Sequence, residues 1–288
     1  MINLIDGKKL SEQRLDECIE ELKKINGRKP MMAVITVGED PASKIYVRNK
    51  EKACEKCGID FKNEIYDTTV SREEVSKKIQ ELNKDKNVDA IFVQLPVPKE
   101  LSGIEQEISI EKDVDGFNIH NLGNTLYNSK TIKKVEPCTP AGIMYMLEKY
   151  NIELKGKHVV VLGRSNVVGK PLIGMLLNKN ATVTSCNSYT ENLKEITKTA
   201  DILISAIGQP KYINREYLSN KTNVVIDVGI NRIEDNKICG DVDFEDVIKL
   251  WKNSKEDKFI TPVPGGVGPM TVASLINNIV ICYKNNNK

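Results

Sequence analysis

The sequence predicts an α/β protein of two domains, an expectation that rests on strand-length apolar runs, their alternation with helical stretches, and chain length. Runs at 31–37, 89–95, 158–163, 182–186, 201–208 and 223–229 are rich in Val and Ile and nearly continuous in their apolar character. Strands buried on both faces read this way, so both halves are expected to hold parallel sheets. Stretches of helical periodicity separate the runs. A chain of 288 residues is long enough for two cores.

Local signals place several helices. Ser71 with Glu74 forms a capping box for a helix ending near Leu82. Thr139 followed by Pro140 reads as an N-cap with proline at the first helical position, opening a helix over about 141–150. The segment from Ser43 to Cys57 reads as a helix after the turn Gly38-Glu39-Asp40-Pro41. The division is expected as a first domain over 1–138, completed by a C-terminal helix at about 269–288, and a second over 139–268.

Composition narrows the function classes. Forty-two Lys and Arg against 40 Asp and Glu leave a net charge of +2, with no basic stripe of the kind that nucleic acid or an anionic membrane requires. Neither partner is expected, and small-molecule chemistry is. The opening MINLIDGKKL turns polar too soon for a signal peptide, so the expected location is cytoplasmic. The 7 cysteines are scattered, which fits a reducing compartment. Cys54 and Cys57 form the one CxxC, inside a helical pattern and without a second pair, so packing is expected there and no metal site.

The strand at 158–162 runs into Gly163-Arg164-Ser165-Asn166-Val167-Val168-Gly169-Lys170-Pro171 and then an apolar helix. Strand, glycine turn and helix make a Rossmann-type dinucleotide site, because a helix N-terminus presents free N–H groups to a pyrophosphate and glycine lets the backbone come close. A Walker A loop is excluded: five residues separate Gly163 from Gly169 where four are needed, and Pro171 replaces the metal-binding hydroxyl. The second strand ends in Cys186-Asn187-Ser188-Tyr189-Thr190, with no carboxylate before Glu191 to accept from a ribose 2′-OH. With Arg164 in the turn, the pocket reads as one for a 2′-phosphate, hence NADP. Small residues at 205–208 and 227–231 suit a nicotinamide at the carboxyl edge of the sheet.

In the N-terminal half, Tyr46 and Lys50 stand at i and i+4 and project from one helix face. Gln94 ends a buried-looking strand, where α/β enzymes place catalytic groups, and Leu95-Pro96-Val97-Pro98 makes a stiff loop behind it. A polar turn follows at 112–117. The segment 262–271, rich in Pro and Gly, precedes the last helix and allows a ligand close to its backbone.

SKIYVRNKEKAC, VQLPVP, KDVDGF, PCTPAG, GRSNVVGKP and TPVPGGVGPMT, in this order from residue 43 to 271, closely resemble the bifunctional methylenetetrahydrofolate dehydrogenase/methenyltetrahydrofolate cyclohydrolase family. The resemblance implies an N-terminal catalytic domain, a Rossmann-type NADP-binding domain, and a last helix returning to the first. It implies oxidation of 5,10-methylenetetrahydrofolate by NADP and hydrolysis of the methenyl product to 10-formyltetrahydrofolate, reactions of one-carbon metabolism that serve purine biosynthesis. Carried over block by block, Lys50 is the central catalytic residue, Tyr46 stacks on the folate, Gln94 tunes Lys50, and Asp115 anchors the pterin. Leu95, Pro264, Gly265 and Gly266 line the folate pocket. Gly163, Arg164, Ser165, Ser188 and Ile230 bind NADP. A homodimer joined through the nucleotide domains is also implied.

The chain departs from the family pattern at Asn118-Ile119, where His-Pro is usual, and at Asn187, where His is usual. Asn118 is expected to touch only the pocket rim, whereas Asn187 adjoins the expected phosphate site. Two other readings stand beside this one: a different NADP-dependent dehydrogenase, acting on an amino or hydroxy acid, and a non-catalytic NADP sensor.

Overall fold

The computed structural model describes residues 1–127, 135–233 and 237–287. It resolves into two compact units, Met1–Ser11 with Thr139–Thr271, and Glu12–Cys138 with Val272–Lys288. The chain opens with β1 (Ile2–Leu4) and α1 (Gly7–Lys23).

In the catalytic unit, β2 (Met31–Val37), α2 (Pro41–Lys56), β3 (Asp60–Tyr66), α3 (Arg72–Lys84) and β4 (Ala90–Val93) alternate along the chain. The three strands form a parallel sheet in the order β3-β2-β4. Ala33 and Ile35 of β2 and Ile91 and Val93 of β4 pack against Val75, Ile79 and Leu82 of α3. Each buried aliphatic side chain there contributes about 1.5–3 kcal/mol. Asp40 caps α2 by accepting from Ser43 N–H at 2.7 Å, with Pro41 opening the helix. Ser71 Oγ accepts from Glu74 N–H and starts α3. The short helix α4 (Ile119–Tyr127) follows, and α5 (Cys138–Lys149) leads into the other unit.

The nucleotide unit alternates β5 (His158–Leu162), α6 (Gly169–Asn178), β6 (Thr182–Cys186), α7 (Leu193–Lys198), β7 (Ile202–Ser205) and β8 (Val224–Asp227). After a two-strand ladder, β9 (Asn231–Arg232) with β10 (Ile238–Cys239), come α8 (Phe244–Trp251), β11 (Lys258–Ile260) and α9 (Val267–Asn286). Six parallel strands lie in the order β1-β11-β8-β7-β5-β6. The chain steps from β5 to β6 on one side and then to β7 on the other. Strand order therefore reverses at β5, and the switch point, where open α/β sheets bind ligands, lies outside the carboxyl ends of β5 and β7. Trp251 of α8 seals the core against Leu203, Val225 and Ile260.

The fold corrects three expectations. Residues 1–11 group with the nucleotide unit, not with 12–138, because β1 pairs with β11; a three-residue strand is too short to show periodicity, and its partner is some 255 positions away. The last helix begins at Val267, and only its part from Val272 groups with the catalytic unit. Helix α5 starts at Cys138, one residue ahead of Thr139, whose hydroxyl lies 3.0 Å from that of Thr271 instead of capping a helix.

Met1 O accepts from Lys258 N–H at 2.8 Å and Ile5 N–H donates to Ile260 O at 2.9 Å, so β1 protects one edge of β11. Deleting residues 1–4 should speed hydrogen exchange of the Lys258 amide by about tenfold or more, leaving the amides of β2 unchanged. Mass-spectrometric or NMR exchange checks this, and equal acceleration in both sheets would contradict it.

Candidate active site

Lys50 is the unusual group of the catalytic unit. It is 7% exposed, on α2, and Tyr46 one turn earlier is 41% exposed. Lys50 Nζ donates to Gln94 Oε1 at 2.8 Å and lies 3.5 Å from the centroid of the Phe92 ring. Gln94 comes directly after β4, where its Nε2 donates to Leu95 O at 2.6 Å and the Leu95–Pro96 peptide is cis. Residues two apart on a strand share a face, so Phe92 and Gln94 both reach the lysine.

Asp115 supplies the nearby opposite charge. Burial pulls the Lys50 ammonium down from 10.5 to about 8, while Asp115 acts to hold it up. Burial likewise pushes the Asp115 carboxyl up, with the Lys50 charge opposing. A lysine held this way titrates close to neutral pH, the range in which an amine can exchange protons with a substrate.

The turn carrying Asp115 is built from buried polar groups. Asp113 accepts from Gly116 N–H at 3.1 Å, Asn118 N–H at 2.9 Å and Asn121 Nδ2 at 2.9 Å. Gly116 has φ +73°, and a Cβ there would lie 2.8 Å from Pro137 N, so the turn admits no side chain. Asn278 of α9 donates to Val114 O at 3.0 Å and to Glu136 O at 2.8 Å. The Cys138 thiol donates to Val114 O at 3.6 Å, next to Asp115, and burial raises the thiol far above its ordinary value. Asn118 corrects an expectation: it is buried, and its Nδ2 donates to Ile108 O at 3.1 Å, so it ties the turn to the preceding loop instead of lining a rim.

In the nucleotide unit, Gly163 stands at the switch point with φ +111°, and a Cβ on it would lie 2.3 Å from Ala206 O. A Cβ on Gly169 would lie 2.3 Å from Gly163 O. The backbones after β5 and β7 thus approach as only glycine permits, beside the start of α6. Ser165 Oγ accepts from Val168 N–H at 3.2 Å and Gly169 N–H at 3.4 Å, so it shapes the turn while its own hydrogen remains a donor. Arg164 and Ser188 are both exposed, and the Arg164 guanidinium lies 5.8 Å from the centroid of the Tyr189 ring.

The loop 262–266 also belongs to this unit. The Val263–Pro264 peptide is cis, Gly265 O accepts from Lys8 N–H at 3.0 Å, and a Cβ on Gly7 would lie 1.8 Å from Gly266 O. Ile230 Cδ1 lies 3.5 Å from the point a Cβ on Gly268 would occupy, so the residues after β8 and those opening α9 are neighbours. The structure thus joins Lys50, Gln94 and Asp115 in one unit, and Gly163, Arg164, Ser165, Ile230 and the 264–266 loop are placed in the other.

Models of the tetrahydrofolate dehydrogenase/cyclohydrolase family match both parts of the chain: the catalytic domain at residues 5–115 and the NAD(P)-binding domain at 137–287. The chain belongs to this family. The bifunctional protein FolD of Campylobacter hominis is 47% identical over 99% of this chain and 98% of its own length. That of Agathobacter rectalis is 47% identical over 99% of this chain and 100% of its own. Among solved structures, the bifunctional enzyme FolD of Campylobacter jejuni superposes with a TM-score of 0.92 at 42% identity, covering 99% of each chain. The Trypanosoma brucei FolD, complexed with NADP cofactor and inhibitor, superposes with a TM-score of 0.90 at 32% identity over 99% of this chain and 98% of its own.

Sequence reasoning missed Phe92, Cys138 and Asn278. Phe92 was open to it, two residues before Gln94 on one strand, and Asn278 stands as a polar residue inside an apolar helix. Nothing in the sequence marked Cys138 as the neighbour of Asp115. Gln94 gives its oxygen to the Lys50 ammonium, so Gln94→Leu should lower the Lys50 pKa below about 8. An NMR titration of the Lys50 side chain reads this directly, and an unchanged or raised value would contradict it.

Proposed function

We propose that this protein oxidises 5,10-methylenetetrahydrofolate with NADP to 5,10-methenyltetrahydrofolate and hydrolyses that product to 10-formyltetrahydrofolate. The observation that carries the reading is the buried Lys50 ammonium, bonded to Gln94 and charge-coupled to Asp115, in a chain of this family. The supply of 10-formyl groups to purine biosynthesis is part of the same reading.

The residue types suit the chemistry. In the methenyl compound the reactive carbon is a cation shared between two nitrogens. Water attacking it must lose a proton, and the ring nitrogen must gain one as the C–N bond breaks. Neutral Lys50 takes the first proton and, as an ammonium, returns one. Its depressed pKa makes the neutral form accessible near pH 7, and Gln94 fixes the direction of its nitrogen. Tyr46, exposed on the same helix one turn away, offers its ring to the aminobenzoyl group, and Asp115 offers its carboxyl to the pterin. Leu95 and the backbone at Pro264, Gly265 and Gly266 serve as apolar and close-approach surfaces.

The glycine turn between β5 and α6, packed so closely that neither Gly163 nor Gly169 could carry a side chain, is read as the pyrophosphate site. When bound there, NADP supplies the hydride acceptor. Arg164 and the Ser188 hydroxyl provide a charged and a neutral donor for the 2′-phosphate, and Ser165 has a hydrogen to donate. Ile230 adds an apolar contact on the cofactor side. The reading includes a homodimer, supported by the exposed Ile233 and Ile238 around β9 and β10, and a cytoplasmic enzyme. Among the described residues no helix is long and apolar enough to cross a membrane.

A paired assay tests the whole: reduction of NADP with 5,10-methylenetetrahydrofolate, and decay of the methenyl absorption band. Lys50→Met should leave NADP affinity intact while slowing methenyl hydrolysis at least about a hundredfold. Full hydrolase activity in that variant would remove Lys50 from the mechanism. The sign of the pH dependence follows from the role: the base is the neutral amine, so hydrolytic kcat/KM should rise with pH through a midpoint near 8. A rate that falls over that range would assign the essential form to the ammonium.

A further inference from the structure

The Tyr189 ring stands at the mouth of the second strand without a packing role. It is 82% exposed, and the backbone that carries it is held in place. Asn187 Oδ1 accepts from Tyr189 N–H at 3.0 Å, Asn187 N–H donates to Thr190 Oγ1 at 2.9 Å, and Thr190 N–H donates to Asn187 O at 3.0 Å. These bonds close a tight turn after β6 that presents Ser188 and Tyr189 to solvent. The Asn187 Oδ1 is therefore taken up in building the turn.

What the ring meets is Arg164, from the glycine turn after β5, with the guanidinium carbon 5.8 Å from the ring centroid. That is within cation–π range. Among the described residues no carboxylate lies within ion-pair distance of Arg164, although Glu191 stands two residues after Tyr189. A guanidinium that meets a ring by its flat face keeps its in-plane N–H donors free, the donors that a phosphate takes in pairs. A free arginine carries about 2 kcal/mol of side-chain entropy, part of which is lost on binding an anion. A guanidinium already resting on a ring has lost some of it beforehand.

We propose that Tyr189 is a specificity-determining residue, whose ring holds Arg164 in place for the 2′-phosphate and so sharpens selection of NADP over NAD. This rests on the NADP assignment above and adds the residue that enforces it. The ligand recognised is the adenosine 2′-phosphate alone, since Tyr189 acts through Arg164.

Equilibrium binding tests it without requiring turnover. Dissociation constants of NADPH and NADH are measured by nucleotide fluorescence for the wild type, Y189A, Y189F and R164A. The wild type should prefer NADPH. An exposed cation–π contact is worth about two- to fivefold in binding, so Y189A should cut the NADPH/NADH preference by that factor through weaker NADPH binding, with NADH unchanged. Y189F, which keeps the ring, should retain the wild-type preference, and Y189A in an R164A background should have no further effect. Equal weakening of both nucleotides in Y189A would make Tyr189 an adenine platform and overturn the proposal. So would an unchanged preference in Y189A, or a wild type that does not discriminate. Absence of folate turnover in the wild type would instead sink the proposed reaction while leaving the binding comparison readable.

Discussion

Asp227 and Asp241 hold the carboxyl edge of the six-stranded sheet, and the nucleotide site depends on them. Asp227, at the end of β8, accepts from the N–H groups of Gly229, Asp241 and Val242. Asp241 in turn accepts from Ser205 Oγ, Ile207 N–H, Gln209 N–H and Asn231 Nδ2. Loops at the end of a parallel sheet cannot pair with one another as strands do, so their backbone donors need other acceptors. Two carboxylates, each with several acceptor sites, meet that need. Burial pushes Asp227 up to about 6, a cost offset by the donors it gathers. The loops after β7 and β8 are thereby fixed beside the glycine turn after β5, and the close approach of Gly163 to Ala206 becomes possible.

The catalytic unit uses a buried charge for the opposite purpose. Lys50 has one side-chain acceptor, Gln94, and the face of Phe92, a solvation poor enough to depress its pKa. By contrast Lys258, still more deeply buried, donates to Asn220 O at 2.7 Å, Thr222 O at 3.1 Å and Asn223 Oδ1 at 2.5 Å and pairs with Glu256 at 3.5 Å. The two buried lysines thus differ in the acceptors they meet, several close oxygens at Lys258 and one at Lys50. Asp115 keeps Lys50 from losing its proton outright, and the pair is balanced near neutrality.

Much of this was legible in the sequence, and the reasons differ by element. Strands β2 and β6 match the apolar runs residue for residue because their flanking turns are polar and sharp. β3 was missed since it is an edge strand whose Asp60, Lys62 and Glu64 interrupt any apolar run. The Lys50 and Tyr46 pair was visible as helix spacing, and Gln94 as a strand end. Long-range partners were not visible: Asn278 braces Asp115 from a helix 164 positions beyond Val114, and no local pattern encodes that. The same holds for β1, which pairs with a strand near the other end of the chain. Asn118 was misread because a polar residue in a polar turn gives no sign of being buried.

The two cations at the centre of the functional reading are placed according to what each must do. Lysine is used where a proton must move, because burial tunes its pKa into the working range. Arginine is used where a charge must stay, since its guanidinium remains protonated at any pH the protein meets. Burying Arg164 would cost desolvation and yield nothing chemical, so it lies exposed, and an aromatic face restrains it. Exposing Lys50 would return its pKa to the ordinary lysine range and leave too little neutral amine to accept a proton. The hydrolytic step should therefore be the pH-sensitive one, and recognition of the cofactor's adenosine phosphate should be limited by the phosphate's own titration, not by the protein's.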